Sequence, residues 1–188
     1  MKKQLFKLLT PALLLMLFWS GCKKDRDQVA VPPPVLNAPE LITSMVLVFT
    51  DSSNVSNIIK AEFRDPDGPG GNAATKFDTI KLSPNKTYSL NILLLDETKN
   101  PIDTVSEEIW KERNDHQFFF SHSGINVSIT YLDVDGNGYP VGLTTKWRTG
   151  IASLSTSKIT LKHQAGTKNG TMGPGETDVE VNYQTKIQ

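Results

Sequence analysis

One cysteine, Cys22, stands in 188 residues, so no disulfide can form within the chain. The fold must be held by its core alone, even in a compartment that would permit disulfides. An excess of either charge is lacking as well, with 20 Lys+Arg against 20 Asp+Glu. That balance excludes the basic face of a nucleic-acid binder, and no polybasic run is available for an anionic membrane surface. Long apolar runs are also missing. Leu8 to Trp19 is interrupted by Thr10 and Pro11 and falls short of the roughly 20 residues that span a bilayer. Histidine is scarce, at three residues, so a histidine-rich metal centre has few ligands to draw on.

What is present begins with a leader. Lys2, Lys3 and Lys7 precede the apolar run, and Ser20 and Gly21 close it. Charged, apolar and small-residue regions follow in the order of a signal peptide over residues 1–21. Cys22 comes next. The stretch Trp19-Ser20-Gly21-Cys22 resembles the lipobox of bacterial lipoproteins, with Trp where Leu is usual. The resemblance implies that the Cys22 thiol is acylated and the leader removed. One acyl chain binds a bilayer only marginally, at about 0.8 kcal/mol per buried CH₂. The two or three chains such proteins carry imply slow release, and a membrane held through the lipid is the first partner expected. Loss of three leader lysines leaves 17 basic residues against 20 acidic ones, a net charge of −3.

Residues 22–40 read as a linker. Lys23-Lys24-Asp25-Arg26-Asp27 resembles the Lys/Asp-rich signals that carry Bacteroidota lipoproteins to the outer face of the outer membrane. A solvated tether is the other reading, so the cell-surface and periplasmic faces both stay open. Pro32-Pro33-Pro34 and Pro39 favour extended polyproline II, a semi-rigid spacer of about 3.1 Å per residue.

Residues 41–188 are the size of one domain, and their apolar pattern has period two. Ile42–Phe49, Ile58–Arg64, Lys76–Leu82, Thr87–Leu95, His116–His122, Asn126–Leu132, Val141–Arg148, Ser153–His163 and Thr177–Ile187 read as strands between Gly, Asn, Asp and Pro turns. Tyr88, Leu90, Ile92 and Leu94 share one face, as do Val179, Val181 and Tyr183. Ile102–Arg113 is two-sided. Glu107, Glu108, Lys111 and Glu112 suit a helix, but the strand reading is favoured because every neighbour is a strand. The expected fold is an all-β, antiparallel immunoglobulin-like or fibronectin-III-like sandwich.

Several stretches resemble a group of small Bacteroidota outer-membrane lipoproteins of unknown function. They are Phe63-Arg64-Asp65-Pro66-Asp67-Gly68, Leu94-Leu95-Asp96-Glu97, Asp115–Phe120, Thr130–Gly138 and Gly175–Val179. The resemblance spans nearly all of 41–188 and implies no catalytic residue. Some members carry a type 1 periplasmic-binding label. The label conflicts with this chain, which lacks the strand–helix alternation and the length of a two-lobed α/β fold.

Candidate chemistry is sparse. Asp133-Val134-Asp135-Gly136-Asn137-Gly138 matches the first half of a calcium loop, with oxygens at Asp133, Asp135 and Asn137. Its twelfth position is Thr144 rather than Glu, and Asp-Gly and Asn-Gly are also hairpin signals. A plain turn is favoured, with Ca2+ as the alternative; Asp65 and Asp67 form a second acidic turn. His116 and His122 lie six apart and share a strand face. A zinc site there would need a third ligand such as His163 or Asp115. Glu107-Glu108 and Asp96-Glu97 do not form a glycosidase pair, because adjacent strand residues point apart. Ser121-His122-Ser123 lacks a nucleophile elbow. Gly166–Gly175 reads as a hairpin loop. In Phe118-Phe119-Phe120 the middle ring faces away from its neighbours. Asp78-Thr79-Ile80 and Asp103-Thr104-Val105 resemble an O-glycosylation acceptor, which implies modification at Thr79 or Thr104. The expected function is non-enzymatic: a lipid-anchored module that binds or scaffolds a surface protein or glycan at the outer membrane. The alternative is a calcium-stabilised adhesion or glycan-binding module.

Overall fold

A computed structural model describes residues 40–68 and 70–188. The leader 1–21, Cys22 and the linker through residue 39 lie outside the described residues. The described chain is an all-β sandwich of two sheets. Its strands are β1 (Ser44–Asp51), β2 (Asn54–Arg64), β3 (Lys76–Phe77), β4 (Ile80–Leu82) and β5 (Thr87–Leu95), then, after one helix, α1 (Val105–Lys111), β6 (His116–His122), β7 (Val127–Tyr131), β8 (Thr144–Thr149), β9 (Ser153–His163) and β10 (Glu176–Ile187). One sheet runs β3-β2-β1-β5-β8-β7 and the other β4-β10-β9-β6. All pairings are antiparallel except β4 with β10.

The alternation read from the sequence builds the core. Met45, Leu47 and Phe49 of β1 and Tyr88, Leu90, Ile92 and Leu94 of β5 are buried on one inner face. Phe118, Ile159, Leu161, Val181, Tyr183 and Ile187 are buried on the other. Trp147 of β8 is fully buried, and its ring meets Phe49 edge-on at 5.2 Å and Phe120 at 6.0 Å. Its indole N–H donates to Thr145 Oγ1 at 3.0 Å, so the ring brings no unpaired donor into the core. Two tyrosines tie sheet to sheet: Tyr183 O–H donates to Met45 O at 3.0 Å and Tyr131 O–H to Phe118 O at 2.9 Å. Phe118 and Phe120 turn inward, whereas Phe119 lies half-buried on the opposite face.

Two expectations need correction. Residues 102–113 do not form a strand; Val105–Lys111 is helical. Val105 and Ile109, four apart, bury one stripe, and the helix packs on β5. Glu107 and Glu108 in the first turn and Lys111 in the last match the helix dipole. Arg113 lies over the exposed Trp110 ring at 5.0 Å. Local propensity prevailed here over the character of the neighbouring elements. Lys76–Leu82 is not one strand either. It pairs with β2 at Lys76–Phe77, turns at Asp78-Thr79, and joins the other sheet at Ile80–Leu82. It is a corner between the sheets, which explains its imperfect alternation.

Trp147→Ala should cost about 3–5 kcal/mol, read as a lower urea midpoint at unchanged slope; a loss below 1 kcal/mol would contradict the role given to this ring.

Candidate functional site

The polar chemistry of the molecule gathers at one end of the four-stranded sheet. His116 opens β6 and His163 closes β9, and pairing of the two strands sets them directly opposite each other. Their rings lie 4.3 Å apart, tilted by 31°. The start of β10 adds Asp178. Pairing of β10 with β9 shifts register between Thr177 and Val179, so Asp178 is the extra residue of a bulge. A bulge re-aims a side chain. Regular alternation would place Asp178 opposite the inward Val181 and Tyr183, whereas here its side chain is fully covered. Gly175, at φ +75°, lets β10 begin hard against β9. A Cβ there would stand 2.0 Å from His163 O.

Glu40, four residues before β1, completes the group. His116 Nε2 lies 3.1 Å from Glu40 Oε1 and 3.7 Å from Asp178 Oδ2. The ligand atoms of Glu40, His116, His163 and Asp178 all fall within 4.8 Å of one another. His116 Nδ1 faces Glu112 O at 3.2 Å. His116 Nε2, Glu40 Oε2 and both Asp178 oxygens are buried without a hydrogen-bond partner. Charges follow from this crowding. Burial works against a charged His116, but the Glu40 carboxylate outweighs it and raises its pKa. Burial likewise opposes the Glu40 carboxylate, and His116 outweighs it, so its pKa is lowered. Asp178 is pushed up to about 7 by burial and by the Glu40 charge.

A second polar group lies alongside. Lys168, in the β9–β10 loop, donates to Arg113 O at 2.7 Å and His116 O at 2.8 Å, and meets Asp135 Oδ2 at 2.9 Å. Both side chains of this pair are buried, at 2% and 0% exposure. Asp135 Oδ1 accepts the N–H groups of Asn137 and Tyr139. Asp133 accepts those of Gly142 and Thr144, while Asn137 is exposed. Three of the four carboxylate oxygens of Asp133 and Asp135 therefore accept backbone N–H groups, and the fourth, Asp135 Oδ2, lies against the Lys168 ammonium. Burial raises the Asp135 pKa, and Lys168 and the two N–H groups outweigh it, leaving it lowered.

The remaining sequence candidates fall elsewhere. His122 faces Val127 O at 3.0 Å. Six strand residues span about 20 Å, so sharing a face with His116 does not bring the two rings together. Asp115 accepts from Gly166 N at 3.0 Å and takes no part in the His116 group. Asp67 accepts from Asn72 in its own turn. Asp96 accepts the N–H of Thr98 at 2.9 Å, and Glu97 is clasped by Arg64 and Ser44. Thr79 is half-exposed and lines an open cleft of about 360 Å³ with Phe77, Asp78, Thr156, Asn182 and Gln184. Thr104 is half-exposed at the start of α1, with no side-chain capping bond.

Sequence reading missed Glu40, Asp178 and Lys168 as partners of these groups. Glu40 lay in a proline-rich linker, and a bulge leaves no trace in the spacing of apolar residues. Gly175, three residues before Asp178, was the one local hint of a strained strand start. Among the described residues no helix is long and apolar enough to cross a membrane. No family model, curated protein or solved structure matches the chain.

Asp135→Asn leaves the Lys168 ammonium buried without a counter-charge and should cost about 3–5 kcal/mol, with calcium or with chelator alike; a smaller loss, or one that calcium sets, would return the loop to a metal-binding role. Glu97 carries a separate pH dependence. The Arg64 guanidinium, with Ser44, holds its carboxyl below the usual range, so its contribution is complete above about pH 4.3 and fades as pH falls through the lowered folded value. Glu97→Gln should therefore flatten the acid side of the stability–pH curve, and an unchanged acid slope would show that this pair does not contribute.

Proposed function

We propose that the chain is a lipid-anchored, non-enzymatic extracytoplasmic β-sandwich protein with a binding or scaffolding role at the outer membrane. The observation that carries this reading is Cys22, the single cysteine, placed directly behind a charged and then apolar leader. Acylation there would use the one thiol and fix the mature N-terminus to lipid. The sandwich fits such a post. It needs no disulfide, and its interior is closed by packed aromatics.

Its titratable groups support a structural rather than a catalytic use. Asp133, Asp135, Asp96 and Glu97 hold backbone or side-chain donors within the fold. The binding role rests on surface features. Asn54–Ala61 of β2 pairs with β1 alone among the described residues, and Val55 and Ile58 on it are exposed. An open strand edge of this kind offers backbone donors and acceptors to a partner. Display on the cell surface, rather than on the periplasmic face, rests on the Lys23–Asp27 charge run. O-glycans at Thr79 or Thr104 fit their partial exposure. The calcium-stabilised adhesion or glycan-binding reading is the weaker one, because the oxygens of Asp133 and Asp135 are already engaged.

Detergent-phase partitioning of the native protein tests the anchor. The wild-type chain should enter the detergent phase and carry acyl mass at Cys22, and Cys22→Ala should move to the aqueous phase. An unmodified thiol, or release from membranes by salt alone, would end this reading.

A further inference from the structure

We propose that Glu40, His116, His163 and Asp178 form a closed divalent-metal site of the zinc type, which staples the end of the linker to strands β6, β9 and β10. The four ligand atoms lie within 4.8 Å of one another. Ligands of a tetrahedral zinc with bonds of about 2.0–2.1 Å stand about 3.3 Å apart. The two separations from His116 Nε2, 3.1 Å to Glu40 and 3.7 Å to Asp178, bracket that value.

The orientation of His116 is the second observation. Its Nδ1 is placed to donate to Glu112 O at 3.2 Å, the outer-shell contact that aims a metal-binding imidazole and selects its tautomer. The Nε2 lone pair then points at two carboxylates. A lone pair and two anions converging in a covered space repel one another unless a cation lies between them. The orphaned atoms are those a cation would satisfy: His116 Nε2, Glu40 Oε2 and both Asp178 oxygens. His116 and Asp178 have side chains at 0% exposure, so bulk water does not serve them.

Charge balance favours a divalent ion. Two carboxylates offset its two positive charges, whereas without an ion the cluster reaches neutrality only with a proton on His116 and a second on a carboxyl. The donor set selects the class of metal. Two imidazoles with two carboxylates suit zinc better than calcium or magnesium, which take oxygen ligands. Four protein ligands leave no open position, which marks a structural site rather than a catalytic one. Glu40, at 13% side-chain exposure, is the ligand nearest solvent and gives the ion its way in. The ion would supply the cross-link that a chain with one cysteine cannot make for itself.

The test uses the full chain carrying Cys22→Ser, which removes the thiol as a competing ligand, stripped with chelator and titrated with zinc chloride. One zinc per chain should bind, the melting temperature should climb with zinc concentration, and cobalt(II) in its place should give the visible bands of a tetrahedral centre. His116→Gln and Asp178→Asn should each weaken zinc binding by about 100-fold or more, while His122→Gln, on the same strand outside the cluster, should match the parent. If a strand variant fails to fold, Glu40→Gln carries the test, because Glu40 precedes β1 and lies outside both sheets. Failure to bind zinc, equal binding by Glu40→Gln and the parent, or a melting temperature that follows pH and ignores zinc would overturn the proposal. The last result would mean that the cluster holds protons only.

Discussion

No disulfide can cross between the two sheets of a chain with one cysteine, so their contact is the constraint on which the rest of the molecule depends. Trp147 fills the space between them, edge-on to Phe49 from its own sheet and to Phe120 from the other. The Tyr183 and Tyr131 hydroxyls then cross the interface to backbone carbonyls of β1 and β6. Those carbonyls sit at defined heights along their strands, so the bonds set how the sheets slide as well as how far apart they stand. An aliphatic core alone would supply burial without that register.

The polar end of the four-stranded sheet depends on the same interface. β6, β9 and β10 are neighbours, and their starts and ends meet where His116, His163 and Asp178 converge. The connecting segments then dock on it. Lys168 brings the β9–β10 loop down onto the backbone of Arg113 and His116 and onto Asp135. Gln164 is buried in the same loop and donates to Thr171 O and Pro174 O. Buried groups of this kind are costly unless they are paired. Asp135 Oδ2 has the Lys168 ammonium at 2.9 Å, whereas the histidine cluster gathers four buried atoms without a hydrogen-bond partner in one group.

Glu40 is the first described residue and stands four positions before β1. Its carboxylate lies against His116, so the chain enters β1 tied to that cluster.

Much of the fold was legible in the amino-acid order. Period-two alternation along Tyr88–Leu94 and Val179–Tyr183 marked buried strand faces because a pleated backbone sends successive side chains to opposite sides. The Pro, Gly and Asn clusters marked the turns for equally local reasons. α1 was legible too, in Glu107, Glu108 and Lys111, but its neighbours were given more weight than its own residues. The lipobox resemblance at Trp19–Cys22 is also a local pattern, on residues outside the described ones. Tertiary structure alone decided what the scattered polar residues do. Glu40 and Asp178 are 138 positions apart, and His116 and His163 are brought together by strand pairing. The Asp133–Asn137 run has metal-loop spacing, yet Lys168, from a distant loop, is what sits against it. Spacing along a chain sets which face a side chain takes, whereas the partners on that face come from strand order, bulges and loops, and these form only when the two sheets close on each other.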